Sequence, residues 1–93
     1  MGAMISRLDS VDDNLTVYVS FGEVISPDSP IELVDEETDA PSEGMTYLLE
    51  VNLVKDVVTV WREWRGGRNP DLRQACEAVA YYASHDAFQP VDW

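Results

Sequence analysis

TYLLEVNLVKDVVTVWREW, residues 46–64, decides the fold. Thr46 to Val51 carries branched and aromatic residues suited to a strand, whereas from Asn52 onward Leu53, Val57, Val60, Trp61 and Trp64 recur at helical spacing. A strand running directly into a helix is expected, with Asn52 as the N-cap and Lys55, Asp56, Thr59, Arg62 and Glu63 facing water up to Arg65. Two tryptophans and a run of valines make this the largest hydrophobic mass in the chain, so the core should form around it.

Upstream, LTVYVSF (residues 15–21) places Leu15, Val17, Val19 and Phe21 on one face and Thr16, Tyr18 and Ser20 on the other, and it is the clearest strand in the sequence. Gly22 ends it, and Pro27 and Pro30 bracket a loop into a second strand, Ile31 to Val34. Ile5, Leu8 and Val11 suit a short helical turn before the Asp12-Asp13-Asn14 break. Met1 to Ala3 read as a cloning remnant ahead of a native start at Met4, with no structural role. DEETDAPSEG, residues 35–44, reads as an exposed, mobile loop.

Downstream, Gly66-Gly67 stops the first long helix, and Asn69-Pro70-Asp71 starts another with Asn69 as its cap. Leu72, Cys76, Val79 and Ala83 form its apolar stripe, with Ala75 and Tyr82 beside it. That helix should fray near Ser84 to Asp86, leaving Phe88 and Trp93 as apolar anchors on either side of Pro90. The expected architecture is a single α+β domain over residues 4–93: a small antiparallel three-stranded sheet with two helices, or three, packed on one face.

Charge carries most of the functional reading. Eighteen acids stand against six bases, a net charge of −12 on 93 residues. Residues 1–54 hold twelve of the acids and a single base, Arg7, whereas Lys55, Arg62, Arg65, Arg68 and Arg73 cluster in the next twenty residues. Such a field repels nucleic acid and anionic membranes and steers a basic protein inward. No apolar stretch is long enough for a membrane span or secretory signal, and the lone Cys76 cannot form an internal disulfide, so a cytoplasmic setting is expected.

Candidate chemistry is sparse. His85 beside Asp86 invites a general-base or metal reading and an enzyme or metal-dependent sensor, but one imidazole falls short of a zinc ligand set, and a helix C-terminal role suits it better. Cys76 lies on an apolar stripe, where a buried thiol is expected rather than a nucleophile. The loop carboxylates Asp35, Glu36, Glu37, Asp39 and Glu43 lack the spacing of a calcium loop. With Glu32 they read instead as an electrostatic arm for a basic surface, with Tyr18, Tyr81 or a tryptophan as the aromatic anchor. Arg62, Arg65, Arg68 and Arg73 flank a glycine pair without a nucleotide-binding spacing, and read as solubilising charge around a helix stop.

GMTYLLEVNLVKDVV (residues 44–58) and AVAYYASHDAF (residues 78–88) resemble an uncharacterised family of small acidic bacterial proteins. In that family a Gly-x-x-Tyr-x-Leu strand enters a Val-x-Asp-aliphatic helix, the chain closes on Tyr-Tyr-x-x-x-Asp-Ala-Phe, and an acidic segment precedes the first block. The resemblance covers about half the chain. It implies a bacterial or phage origin near toxin-immunity and phage-defence genes, and supplies no active site.

The expected function is a non-enzymatic inhibitor without cofactor or metal, which binds a basic partner protein such as a nucleic-acid-handling toxin, as immunity proteins do. The alternative is a phage-encoded, anti-CRISPR-like antagonist of a defence-complex subunit, whose carboxylates mimic DNA phosphates. Neither reading has the chain itself binding nucleic acid or membrane, and both leave a homo-oligomer open.

Overall fold

Thr16–Ser20 (β1) is the central strand of a three-stranded antiparallel sheet of order β2-β1-β3, with Ile31–Val34 as β2 and Met45–Glu50 as β3. This computed structural model describes residues 1–20 and 25–89. Phe21 and Gly22, expected to close the first strand, and Pro90 and Trp93 at the C-terminus lie outside the described residues.

The branched side chains of β1 are buried on both faces. Val17 and Val19 point into the core with Leu49, while Thr16 and Tyr18 lie on the opposite face, 2% and 8% exposed. The sheet register pairs Val17 with Leu33 and Leu49, and Thr16 with Val34 and Glu50. Between Val17 and Tyr18 the β1–β3 ladder slips by one residue. Val17 faces Leu49 but Tyr18 faces Tyr47, leaving Leu48 as the extra residue of a bulge. Without that slip, alternation back from Leu49 would turn Tyr47 toward the helices; with it, Tyr47 emerges beside Tyr18 on the outer face.

Val51–Glu63 (α2) follows β3 with no intervening loop. Its N-cap is Glu50, without a side-chain cap bond, and Asn52 lies inside the first turn, so the expected Asn52 cap is corrected. The reason is packing. Val51 is fully buried and its N–H donates to Leu15 O at 3.0 Å, so the sheet satisfies an amide that a cap would otherwise serve. The buried stripe of α2 is Val51, Val54, Val57 and Trp61. Leu53 and Val60 are half-buried, and Trp64 is 47% exposed with its ring edge-to-face on Phe88. Gly66 and Gly67 adopt φ of 67° and 84°, and Gly67 N–H donates to Arg62 O at 2.8 Å, closing the helix in a turn that favours glycine.

Leu72–His85 (α3) starts two residues later than the sequence suggests. Asp71, not Asn69, is the N-cap, in a reciprocal capping box with Gln74, while Asn69 accepts from Arg62. Its buried residues are Ala75, Cys76, Ala78 and Val79, small enough for close approach; Leu72 and Ala83, expected on the stripe, are exposed. Phe88 folds back against Tyr82 and Trp64, as expected of an apolar anchor. Burial pushes the Cys76 thiol up. Native Cys76 should therefore react with a thiol reagent at least about a hundredfold more slowly than in the urea-unfolded chain, because labelling requires an opening reaction; equal rates would contradict its placement.

The N-terminus corrects a further expectation. Gly2–Ser6 forms a short helix, α1, and Leu8–Ser10 a 3-10 turn, with Met1, Met4 and Leu8 in the core. Residues 1–3 do have a structural role: the Met1 amine donates to Ser29 O at 2.6 Å and Gly2 N–H to Pro27 O at 2.9 Å. A Cβ on Gly2 would stand 3.1 Å from Pro27 O and 3.2 Å from Pro27 Cβ, so a side chain at position 2 would press α1 and the Pro27 turn apart by a few tenths of an ångström. The result is an α+β fold, with helices on one sheet face and the other face left to the acidic loop. Among the described residues no helix is long and apolar enough to cross a membrane.

Candidate binding face

Antiparallel pairing brings the start of β1 and the ends of β2 and β3 to one end of the sheet. Three acidic segments therefore converge there. Asp12 and Asp13 come from the turn before β1, Asp35, Glu36 and Glu37 from the turn after β2, and Glu50 from the β3–α2 junction. Together with Asn14, Thr16 and Asn52 they line an open groove of about 620 Å³.

Each wall is held locally. The Asp12 carboxylate accepts from Asn14 N–H at 2.9 Å, and Asp35 accepts from Glu37 N–H at 3.1 Å, so both acids fold their own turns. Lys55 ties the first wall to α2, donating to Val11 O at 2.7 Å and forming an ion pair with Asp13. Glu36 ties the second wall to the sheet: its two carboxylate oxygens accept from Thr16 Oγ1 at 2.8 Å and from Tyr18 Oη at 2.7 Å. The loop expected to be merely exposed is thus pinned at its start by Glu36, and again where Ser42 N–H donates to Glu32 at 3.0 Å.

These bonds shift the groups that make them. Hydrogen bonds from Tyr18 and then Thr16 hold the Glu36 carboxyl below the usual glutamate range, and the same bond to Glu36 holds the Tyr18 phenol above its own. A depressed carboxylate contributes stability that is present above its unfolded-state pKa and lost as pH falls through the folded value. Acidification through the depressed folded-state value, below the usual glutamate range, should therefore release the Glu36 latch. The expected signature is a joint shift of the Thr16 and Tyr18 NMR resonances that is missing in E36Q; an unchanged titration in E36Q would contradict the latch.

Of the site residues expected from sequence, Asp35, Glu36 and Glu37 line the groove. Asp39 and Glu43 are exposed farther along the loop, and Glu32 faces the same side of the sheet as Tyr18, its register partner. Tyr18 is buried under the loop, and Tyr81 is half-buried at the end of α3, stacked on His85 at 4.0 Å. His85 Nδ1–H donates to Tyr81 O at 3.0 Å, matching the expected helix-end role. Sequence reasoning missed Asp12, Asp13 and Glu50 as partners of the loop acids. The one signal for Asp12 and Asp13 was their adjacency to the strongest strand, and nothing local marks Glu50.

The basic cluster sits at the other end of α2. Arg65 Cζ lies 4.2 Å and Arg68 Cζ 5.7 Å from the Trp61 ring centroid, so both guanidinium groups rest on the helix-terminal tryptophan. With α2 thirteen residues long, groove and basic corner stand about 20 Å apart along its axis. The order suits the helix dipole, with acids at its N-terminus and Arg62 in its last turn. Among the described residues no group of three or more His, Cys, Asp or Glu is arranged to hold a metal ion. Compared with known proteins, the chain matches no family model, no curated protein and no solved structure.

Proposed function

We propose that this chain is a small acidic inhibitory protein, working in the cytoplasm, that neutralises a basic, nucleic-acid-handling partner by covering its positively charged surface, as immunity proteins do. One observation carries the reading: six carboxylates from three separate segments face one groove. Converging acids concentrate potential on a single surface, which raises the on-rate for a cationic partner and weakens as salt rises. Acids used only for solubility have no reason to meet.

The test is capture from a bacterial lysate on immobilised protein at low and high salt, with added duplex DNA as a further condition. The expected result is a basic protein retained at low salt and released by salt. Loss of that protein on adding duplex would mean that the carboxylates occupy a DNA groove. A retained protein that is acidic, or indifferent to salt, would overturn the reading.

Lys55 gives a second check. It withdraws one positive charge into the groove wall through Asp13 and Val11 O. Lys55→Gln should tighten binding of a cationic peptide such as deca-lysine by about two- to fivefold, and cost no more than roughly 1 kcal/mol of stability. Calorimetry and urea unfolding measure the two effects. Weaker binding in K55Q would argue against the groove as the site.

A further inference from the structure

We propose that Tyr47 is the seat for an arginine of the basic partner, the guanidinium lying on its ring with Glu36 and Glu50 at its edge. This rests on the groove being the binding face, and adds an aromatic residue beside its lining acids Glu36 and Glu50 and the side chain that residue takes.

The first observation is exposure. Tyr47 is 47% exposed while its cross-strand neighbour Tyr18 is 8% exposed, so a large ring is left in water on a sheet face with no helix over it. The second is how it reaches that face. The bulge at Leu48 turns Tyr47 outward and lets Leu48 pack against the core in its place. Bulges often re-aim a side chain next to a binding site.

Third, the ring is held in position. Tyr47 and Tyr18 meet edge-to-face at 6.2 Å with an interplanar angle of 86°, and Glu36 fixes Tyr18 in turn through its hydroxyl. One face of the phenol ring is thus set before any partner arrives, which lowers the ordering cost of binding.

Fourth, charge surrounds it. Glu50 pairs with Thr16, two residues along β1 from Tyr18, so it lies on the same face roughly 7 Å from the Tyr47 row. Glu36 bridges both rows, and each of its oxygens keeps a second lone pair beyond the bonds to Thr16 and Tyr18. After partial burial, the negative charges of Glu50 and Glu36 raise the Tyr47 phenol, which agrees with this spacing. Trp64, equally exposed, stands by contrast at the arginine-rich end of α2 and would repel a cation.

An aromatic face beside two carboxylates suits arginine better than lysine, because the planar guanidinium stacks and donates in parallel to carboxylate oxygens. The molecule uses the same contact internally, where Arg65 covers Trp61.

The test is titration of wild type, Y47F, Y47L and Y47A with deca-arginine and deca-lysine by calorimetry at low salt, after circular dichroism confirms that each variant is folded. Wild type and Y47F should prefer deca-arginine. Y47A and Y47L should lose about tenfold on deca-arginine, and the arginine preference with it, at an unchanged salt dependence. Wild-type affinity in Y47A or Y47L would place the seat elsewhere while leaving the acidic groove standing. If wild type binds neither peptide at low salt, both the seat and the groove reading fail.

Discussion

Converting Asp12, Asp13, Asp35, Glu37 and Glu50 together to their amides is expected to weaken binding of a basic partner at least about a hundredfold at low salt, and to flatten its salt dependence. The fold should survive. Asn can still accept the turn-forming bonds made by Asp12 and Asp35, and Glu36, which pins the loop to Thr16 and Tyr18, is left in place. The decisive control removes the same formal charge elsewhere. Amides at Asp9, Asp28, Asp56, Glu63 and Glu77, none of which lines the groove, should cost less than about fivefold. Binding measured by calorimetry on both variants separates focused potential from net charge, since equal losses would mean that only the total matters.

The largest effect on stability is expected from Trp61→Ala. Trp61 is 5% exposed, ends the buried stripe Val51, Val54, Val57, Trp61, and supports the guanidinium groups of Arg65 and Arg68. Emptying a site of that size costs about 3–5 kcal/mol, against a total of roughly 5–15 kcal/mol for a domain. The urea midpoint should fall by at least about a fifth, while Trp61→Phe should retain most of it. A Trp61→Ala midpoint close to wild type would show that the tryptophan is not part of the core.

Local chemistry made much of this fold legible. The Leu-Thr-Val-Tyr-Val run could hardly be other than a strand, although its central place in the sheet comes from pairing, Gly66-Gly67 had to end a helix, and the spacing of Cys76 and Val79 marked the inner face of α3. Boundaries depended on contacts that no local pattern holds. Asn52 is a better cap than Glu50 by residue type, but the burial of Val51 and its bond to Leu15 start α2 earlier. Tyr47 could not be placed from alternation, because a bulge reverses alternation at a single residue.

The candidate site was legible by half. The run from Asp35 to Glu37 announces itself by density, but its partners Asp12, Asp13 and Glu50 arrive through strand pairing, which couples residues as far apart as Thr16 and Glu50. Tyr18 stood out as an aromatic on the polar face of its strand, yet nothing near it in sequence says that Glu36 returns to cover it.

The most direct test is to map where a cation binds. Deca-arginine should be titrated into the isotope-labelled chain at low salt, and the backbone amide shifts followed by NMR. Perturbations confined to residues 12–16, 35–37 and 47–52 are the expected result. Shifts spread over the whole surface, or centred on Asp71, Glu77 and Asp86 in and around α3, would contradict a molecule that acts through one acidic groove.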